Sequence, residues 1–392
     1  MSQMKGIPEA TPVWAEIDLA AIGHNISELR RLIGPRVRML APVKANAYGH
    51  GLAQVADKAI ACGVEMLGVA RYTEGIELRR AGIDAPILIF GYTSPGAAAD
   101  LLEYELTPTL FSLETAQAFS ASALRAGKVL KAHLKIDTGM GRVGIVHTNL
   151  GVRDSSGNDD NRDIEEIERM AALSGLRIEG IYTHFACADS IDKASAAQQF
   201  QRFMDILDRL SGKGIDFPIR HAANSAALID MPETHLDMVR PGIALYGLAP
   251  SGEVDLSRLE LKPAMSIKAR IGHVKTVPAG FTVSYGSTWR APHATVIATV
   301  PIGYADGFSR ALSGRGHMLV AGRRAPIVGR VCMDLTMLDV GHIPEAEPET
   351  EVVILGRQGP ESIAADEIAG LLGTINYEIV SAMLSRVPRF FT

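Results

Sequence analysis

Short apolar runs alternate with helix-like segments through the first two thirds of this chain. Residues 13–19 (VWAEIDL) alternate as a strand does, and residues 23–33 carry apolar positions at helical spacing before Gly34. Eight short apolar runs follow, at 39–44, 66–71, 87–91, 107–111, 132–137, 178–184, 219–224 and 238–246. Between them, helix-like segments at 52–61, 73–81, 113–126, 164–174 and 194–210 lead to Gly63, Gly82, Gly127, Gly175 and Gly212. A glycine just past the last periodic residue is the expected helix stop. Ser94-Pro95 supplies an N-cap and first-turn pair for a further helix through Glu103.

This beat predicts an α/β fold, a (β/α)8 TIM-like barrel, whose usual size is about 250 residues. An open doubly wound sheet has the same local rhythm. The barrel is preferred because Lys44, Arg142, His184, Ser225 and Gly242 all fall at or just after the carboxyl ends of different runs. Those ends converge on one mouth in a barrel and spread along an edge in an open sheet. Past Ser251 the pattern becomes strand-like at 262–275, 295–304, 318–320, 325–340 and 351–355, with helical character only at 362–372. The expected domains are therefore a barrel over 1–252 and a mostly β domain over 253–392, with 13–19 available to pair with the second. The polar stretch 149–162 (NLGVRDSSGNDDNR) reads as a solvated loop.

Composition narrows the classes. Of 392 residues, 47% are hydrophobic and 21% charged, which is ordinary for a globular protein. A formal net charge of −5 offers no basic footprint for nucleic acid. The amino terminus lacks an apolar signal core and no apolar run approaches the roughly 20 residues of a membrane span. Cys62, Cys187 and Cys332 lie far apart and are odd in number, which favours a reducing cytoplasm and gives no metal spacing.

The first candidate chemistry is at residues 40–51 (LAPVKANAYGHG), where a buried strand runs into Lys44. Burying an ammonium is costly. A lysine desolvated at a strand end has a lowered pKa and can form a Schiff base with a carbonyl compound or pyridoxal phosphate. A short helical turn would bring the Tyr48 hydroxyl back over the same mouth, and Gly49 and Gly51 permit close backbone approach. On these residues alone, an exposed lysine ending a strand is the better description, and the rest of the chain must decide.

Arg240-Pro241-Gly242-Ile243 ends the eighth run. An arginine there can simply pair with an acid. Facing a pyridine nitrogen, it would offer only donors and leave that nitrogen unprotonated, weakening the electron sink and suppressing transamination. Gly242 and Ile243 present backbone N–H groups to a phosphate, with the Ser225 hydroxyl beside them. His184 is either a core histidine or a link between Arg240 and a catalytic group. Residues 283–287 (VSYGS) place Tyr285 among small residues, and 331–334 (VCMD) form an apolar–acidic turn. The G-x-G-x-x-G match at 139–144 is rejected as a dinucleotide site, because no helical periodicity opens from Gly144.

Taken together, VKANAYGHG, KIDTGMGRVG, YTHFACAD, AANSAA, RPGIALYG, VSYGSTW, PIGYADG, CMD and INYEIV, in this order over both predicted domains, resemble alanine racemase. The resemblance implies a pyridoxal 5'-phosphate enzyme that interconverts L- and D-alanine and supplies D-alanine for peptidoglycan. It implies that Lys44 holds the cofactor as a Schiff base and is the base for the D-enantiomer. Tyr285 would be the base for the L-enantiomer, reaching the site from the second subunit of a homodimer with shared active sites. Tyr48, Ser225, Gly242, Ile243 and Tyr377 resemble the phosphate set, and Arg240 the pyridine-nitrogen partner, linked through His184 to Tyr285. Arg142 resembles the residue beside the substrate carboxylate, braced by Lys135, which matches a lysine carbamylated in many members. Met333 and Asp334 match substrate-side residues contributed across the dimer. The 149–162 stretch is longer than the family usually has there.

Racemisation needs a proton removed from one face of Cα and another delivered to the opposite face, so two opposed bases suit it. Serine or broad-specificity racemisation is the nearest alternative. A same-fold decarboxylase would prefer an acid at Arg240, and a non-catalytic pyridoxal-phosphate carrier would lack the β domain.

Overall fold

The computed structural model describes residues 10–146 and 161–392. They fall into two compact groups, Ile22–Ala47 with Leu52–Lys262, and the residues up to Ala21 with Tyr48–Gly51 and Pro263–Thr392.

The first group is an eight-stranded parallel barrel. Its order is Met238–Val239, Arg38–Pro42, Met66–Val69, Ile87–Ile89, Thr107–Leu110, Leu130–Asp137, Leu176–Tyr182 and Ile219–His221. The ring is completed where Asp237 N–H donates to Arg220 O (3.1 Å) and Arg240 N–H to Ala223 O (2.9 Å). Met66–Val69, Ile87–Ile89 and Thr107–Leu110 are buried at every position. Such strands read as continuous apolar runs because helices cover the outside of the sheet while side chains fill the inside. Leu40, Met66, Leu88, Ile219 and Met238 form one core cluster, with Phe90 packed on it. A Cβ at Gly68 would come 2.3 Å from the Phe90 ring, so glycine makes that packing possible.

Two expected boundaries change. The eighth run is strand only at Met238–Val239, and Ile243–Tyr246 is a 3-10 turn, because Pro241 has no N–H to continue a ladder. The helix expected at 164–174 is Arg162–Ala171. Gly175 is not its stop; a Cβ there would meet Ser120 O at 2.3 Å, so this glycine serves a close backbone approach. Of the polar stretch 149–162, residues 149–160 lie outside the described residues.

The second group is mostly β. Val13–Ile17 pairs antiparallel with Met265–Arg270 and parallel with Arg389–Phe391, inside a sheet that continues through Glu351–Gln358, His317–Val320 and Arg323–Pro326. A smaller sheet joins His273–Val277, Thr295–Val300 and Thr336–Asp339. Two helices are present, Ala365–Leu372 and Asn376–Ser381. The sequence reading gave only the first, since six residues are too few to show helical periodicity. Among the described residues no helix is long and apolar enough to cross a membrane, and no His, Cys, Asp or Glu cluster could hold a metal ion.

Candidate active site

Lys44 follows the first barrel strand, and the backbone after it is unusual. Ala45, Asn46, Ala47 and Tyr48 have φ of 54°, 54°, 53° and 53°. The expected helical turn is therefore present but left-handed. In this region each non-glycine residue costs roughly 1–2 kcal/mol. Three hydrogen bonds offset that cost: Ala47 N–H to Val43 O (2.8 Å), Ala45 N–H to Glu74 Oε1 (2.7 Å) and Leu52 N–H to Asn46 Oδ1 (2.8 Å). Burial, then the charge of Arg142, pulls the Lys44 amine below its ordinary pKa, with Glu74 opposing. A less basic amine is the nucleophile a Schiff base needs.

The neighbouring cations come from two other strands. Lys135 lies within Leu130–Asp137, is buried, and places its ammonium 5.4 Å from the Tyr182 ring centre. Burial, followed by Arg142 and Arg240, lowers its pKa to about 7. Arg142 stands in the loop just beyond, which Asp137 organises by accepting N–H bonds from Gly139, Met140 and Gly141 at 2.9, 2.9 and 3.1 Å. Burial would raise the Asp137 carboxyl, but these donors outweigh it and hold it below its ordinary value.

Arg240 is 4% exposed, and the acceptors that meet it among the described residues are backbone carbonyls and imidazoles. Nη2 donates to Thr183 O (2.7 Å) and Ala222 O (2.8 Å) and approaches His184 Nδ1 at 3.4 Å. Nη1 donates to His221 Nδ1 at 2.9 Å. An arginine donates only, so both histidines accept there and are neutral. Burial and then Arg240 hold both well below the ordinary imidazole pKa. The Tyr182 ring stacks on His221 (4.6 Å, 13°) and lies 5.2 Å from the Arg240 guanidinium. Ser225 Oγ accepts from Gly242 N–H (2.8 Å) and Ala244 N–H (3.3 Å), which ties the seventh strand end to the eighth. Ile243, next in line, is fully buried.

The barrel mouth thus gathers Lys44, Lys135, Arg142 and Arg240, whose charges act on one another. Family models match the chain as alanine racemase, N-terminal domain, over residues 17–250, and alanine racemase, C-terminal domain, over 264–391. The chain belongs to the alanine racemase family. An alanine racemase of Desulfosudis oleivorans is 51% identical over 378 residues, 96% of each protein. The solved alanine racemase of Clostridium difficile 630 has a TM-score of 0.91 at 38% identity, covering 99% of this chain and 97% of that one. The Bacillus anthracis alanine racemase with bound L-Ala-P has a TM-score of 0.89 at 38% identity, covering 98% and 96%. The resemblance drawn from the motifs is borne out, as is the barrel with a β-rich domain after it.

Alanine racemases use pyridoxal 5'-phosphate, and the residues here fit that group. Ser225 beside the Gly242 N–H, with the Arg240 guanidinium near, suits an anionic, nitrogen-bearing ring, and a lysine of lowered basicity suits an aldehyde. In the second group, Tyr48 and Tyr377 stand with ring centres 6.3 Å apart. The turn carrying Tyr48 is pinned there: a Cβ at Gly49 would meet Val380 O at 2.1 Å, and Arg389 Nε donates to Gly49 O at 3.1 Å. Tyr285 is 70% exposed and Met333 52%. Ser284, with φ 66°, donates from its hydroxyl to Arg330 O (2.6 Å), which fastens the Tyr285 turn to the segment leading into Met333 and Asp334. Arg386 bridges Asp306 and Asp334, at 2.9 Å to each.

Sequence reasoning missed His221, Glu74, Gln199 and Arg386. Gln199 accepts from Ala186 N–H (2.9 Å) and donates to His184 O (3.2 Å), fixing the segment that bears His184. None of these has a local signal in the chain. Asp137 had one: an acid two residues before a glycine-rich run is a turn former.

Proposed function

We propose that this chain is a pyridoxal-phosphate-dependent alanine racemase with Lys44 and Tyr285 as its two bases. The observation that carries the reading is a lysine of lowered basicity with Lys135, Arg142 and Arg240 ranged at the same barrel mouth. Relatives bearing that name at about half identity, and a neighbour holding L-Ala-P, support it.

When bound, pyridoxal phosphate supplies the electron sink that makes the Cα proton of alanine removable. Lys44 would hold its aldehyde carbon, and Ser225, with the N–H groups of Gly242 and Ile243 and the hydroxyls of Tyr48 and Tyr377, would hold its phosphate. Arg240 would face the pyridine nitrogen. Burial brings the guanidinium to about 10, so it remains protonated at neutral pH and has no proton to give that nitrogen readily. Arg142 would orient the substrate carboxylate. Lys44 and Tyr285 exchange protons with Cα from opposite faces: one takes the proton while the other delivers one, so configuration inverts. A free tyrosine, of pKa about 10, is a weak base at neutral pH. Arg240, through His184, would place positive charge near the Tyr285 hydroxyl.

The exposure of Tyr285 and Met333 supports a homodimer in which each subunit's Tyr285, Met333 and Asp334 complete the other's site. Lys135, neutral above pH of about 7, would be carbamylated and brace Arg142. The barrel over 1–252 and the β domain over 253–392 would then divide the work, cofactor on one and second base on the other. The protein would act in the cytoplasm on a small amino acid, with no nucleic-acid or membrane partner, and its D-alanine would serve peptidoglycan.

The test is an absorbance spectrum of purified protein before and after borohydride, with chiral chromatography of L-alanine turnover. A band near ~420 nm removed by borohydride, with D-alanine formed, is expected. Protein reconstituted with pyridoxal phosphate that shows no band would overturn the role of Lys44.

A further inference from the structure

Glu74 lies in the helix Tyr72–Arg80, and its carboxylate acts in two directions. Oε2 accepts from the N–H groups of Ala70 (2.8 Å) and Arg71 (3.0 Å), just past the strand Met66–Val69. Oε1 accepts from Ala45 N–H at 2.7 Å, the first left-handed residue after Lys44. These two strand ends are neighbours in the barrel, with Pro42 opposite Gly68. Their last backbone bond is Val43 N–H to Gly68 O at 2.8 Å. Beyond it the chain turns left-handed, and Ala45 N–H points to a side chain instead of a neighbouring strand.

Capping its own helix would occupy only one oxygen of Glu74. The second is given to the Lys44 turn. Three donors divided between two strand ends need an acceptor with two oxygens and no hydrogen. A glutamine has one oxygen and an NH2 group, so it would set a donor against N–H on one side or the other.

We propose that Glu74 is a positioning residue for Lys44: it locks the left-handed turn that aims the amine into the barrel mouth. The proposal rests on the reading of Lys44 as the cofactor lysine. Glu74 touches neither cofactor nor substrate in that reading and acts through the backbone of Ala45.

The experiment compares wild type, Glu74→Gln and Glu74→Asp as full-length protein, with pyridoxal phosphate and stripped of it. Amide hydrogen exchange reads the turn, and cofactor titration and alanine kinetics read its consequence. In stripped protein the amides of Ala45, Asn46 and Ala47 are expected to exchange at least about tenfold faster in both variants, with Leu130–Asp137 within about twofold of wild type. Asp is included because a carboxylate shortened by one methylene still reaches the helix N–H groups but not Ala45. Pyridoxal phosphate is expected to bind about tenfold more weakly, and at saturating cofactor kcat falls about fivefold while KM for alanine holds within about twofold. Unchanged exchange at the turn overturns the proposal. So does faster exchange throughout the barrel, or failure of both variants to fold, either of which makes Glu74 a general structural residue. If wild type binds no pyridoxal phosphate, the function reading fails, while exchange in the stripped protein still judges Glu74.

Discussion

Nη1 of Arg240 donates to Nδ1 of His221 at 2.9 Å, and this one bond settles the protonation of two buried rings. His221 must then carry its hydrogen on Nε2, which lies 3.0 Å from Nδ1 of His133. His133 in turn carries its hydrogen on Nε2, a buried atom with no hydrogen-bond partner among the described residues. Replacing His221 by Leu removes the acceptor from a buried guanidinium. The expected loss is about 1–3 kcal/mol of unfolding free energy, measured by urea denaturation. His221→Asn, which restores an acceptor, is expected to recover part of it.

The same histidines give the protein an acid-side weakness. His133 is lowered to about 3, by burial first and then Arg240, and His184 and His221 lie well below their ordinary value. In the unfolded chain each takes a proton below its ordinary pKa of about 6.5; in the native chain each does so only at lower pH. Stability from these rings is therefore complete above about pH 6.5 and falls as pH drops below it, by up to about 1.4 kcal/mol per pH unit for each ring. Denaturation midpoints from pH 7.5 to 4.5 check this, with His133→Phe expected to flatten the slope.

Lys135 responds in the opposite range. Its amine is neutral above pH of about 7, where it can attack dissolved carbon dioxide, and the resulting carbamate would place a negative charge among Arg142, Arg240 and Lys44. With 13C-bicarbonate at pH 8, a carbamate carbon resonance is expected in wild type and not in Lys135→Ala. KM for alanine is expected to rise severalfold in that variant, as Arg142 loses its brace. A spectrum with no carbamate signal in wild type would remove this part of the reading.

Tyr285→Phe separates the two faces of the reaction. Removing a general base typically costs about 10²–10⁴-fold in rate. L-to-D turnover is expected to fall by that order, and the borohydride-sensitive absorbance, which depends on Lys44, is expected to remain. Loss of the absorbance together with turnover would contradict the assignment of Tyr285.

The barrel was legible because strands such as Met66–Val69 and Ile87–Ile89 are buried at every position and so read as unbroken apolar runs, while the helices between them return polar residues to the surface. The placement of Lys44, Arg142, His184, Ser225 and Gly242 at strand ends followed from that rhythm alone. The handedness of the turn after Lys44 did not. Alanine rarely adopts positive φ, and what stabilises it there is Glu74, an acid 29 positions along the chain. The support of Arg240 by His221 was hidden for the same reason: the contact exists only once the seventh and eighth strands are adjacent. Helix Asn376–Ser381, which carries Tyr377, was too short to register as a period.

The closing of the barrel also bears on the order of assembly. The last strand, Met238–Val239, is two residues long, and it pairs with Arg38 and Met39, some 200 residues earlier. So few bonds across so long a loop give little return until the other strands stand in place. Arg240 follows that strand directly, and its own N–H is one of the two bonds that complete the ring. If Arg240 faces the pyridine nitrogen as proposed, that partner would be acquired only as the ring closes. A nascent chain would keep no grip on pyridoxal phosphate while the ring stands open, and capture of the cofactor would report that the barrel has shut.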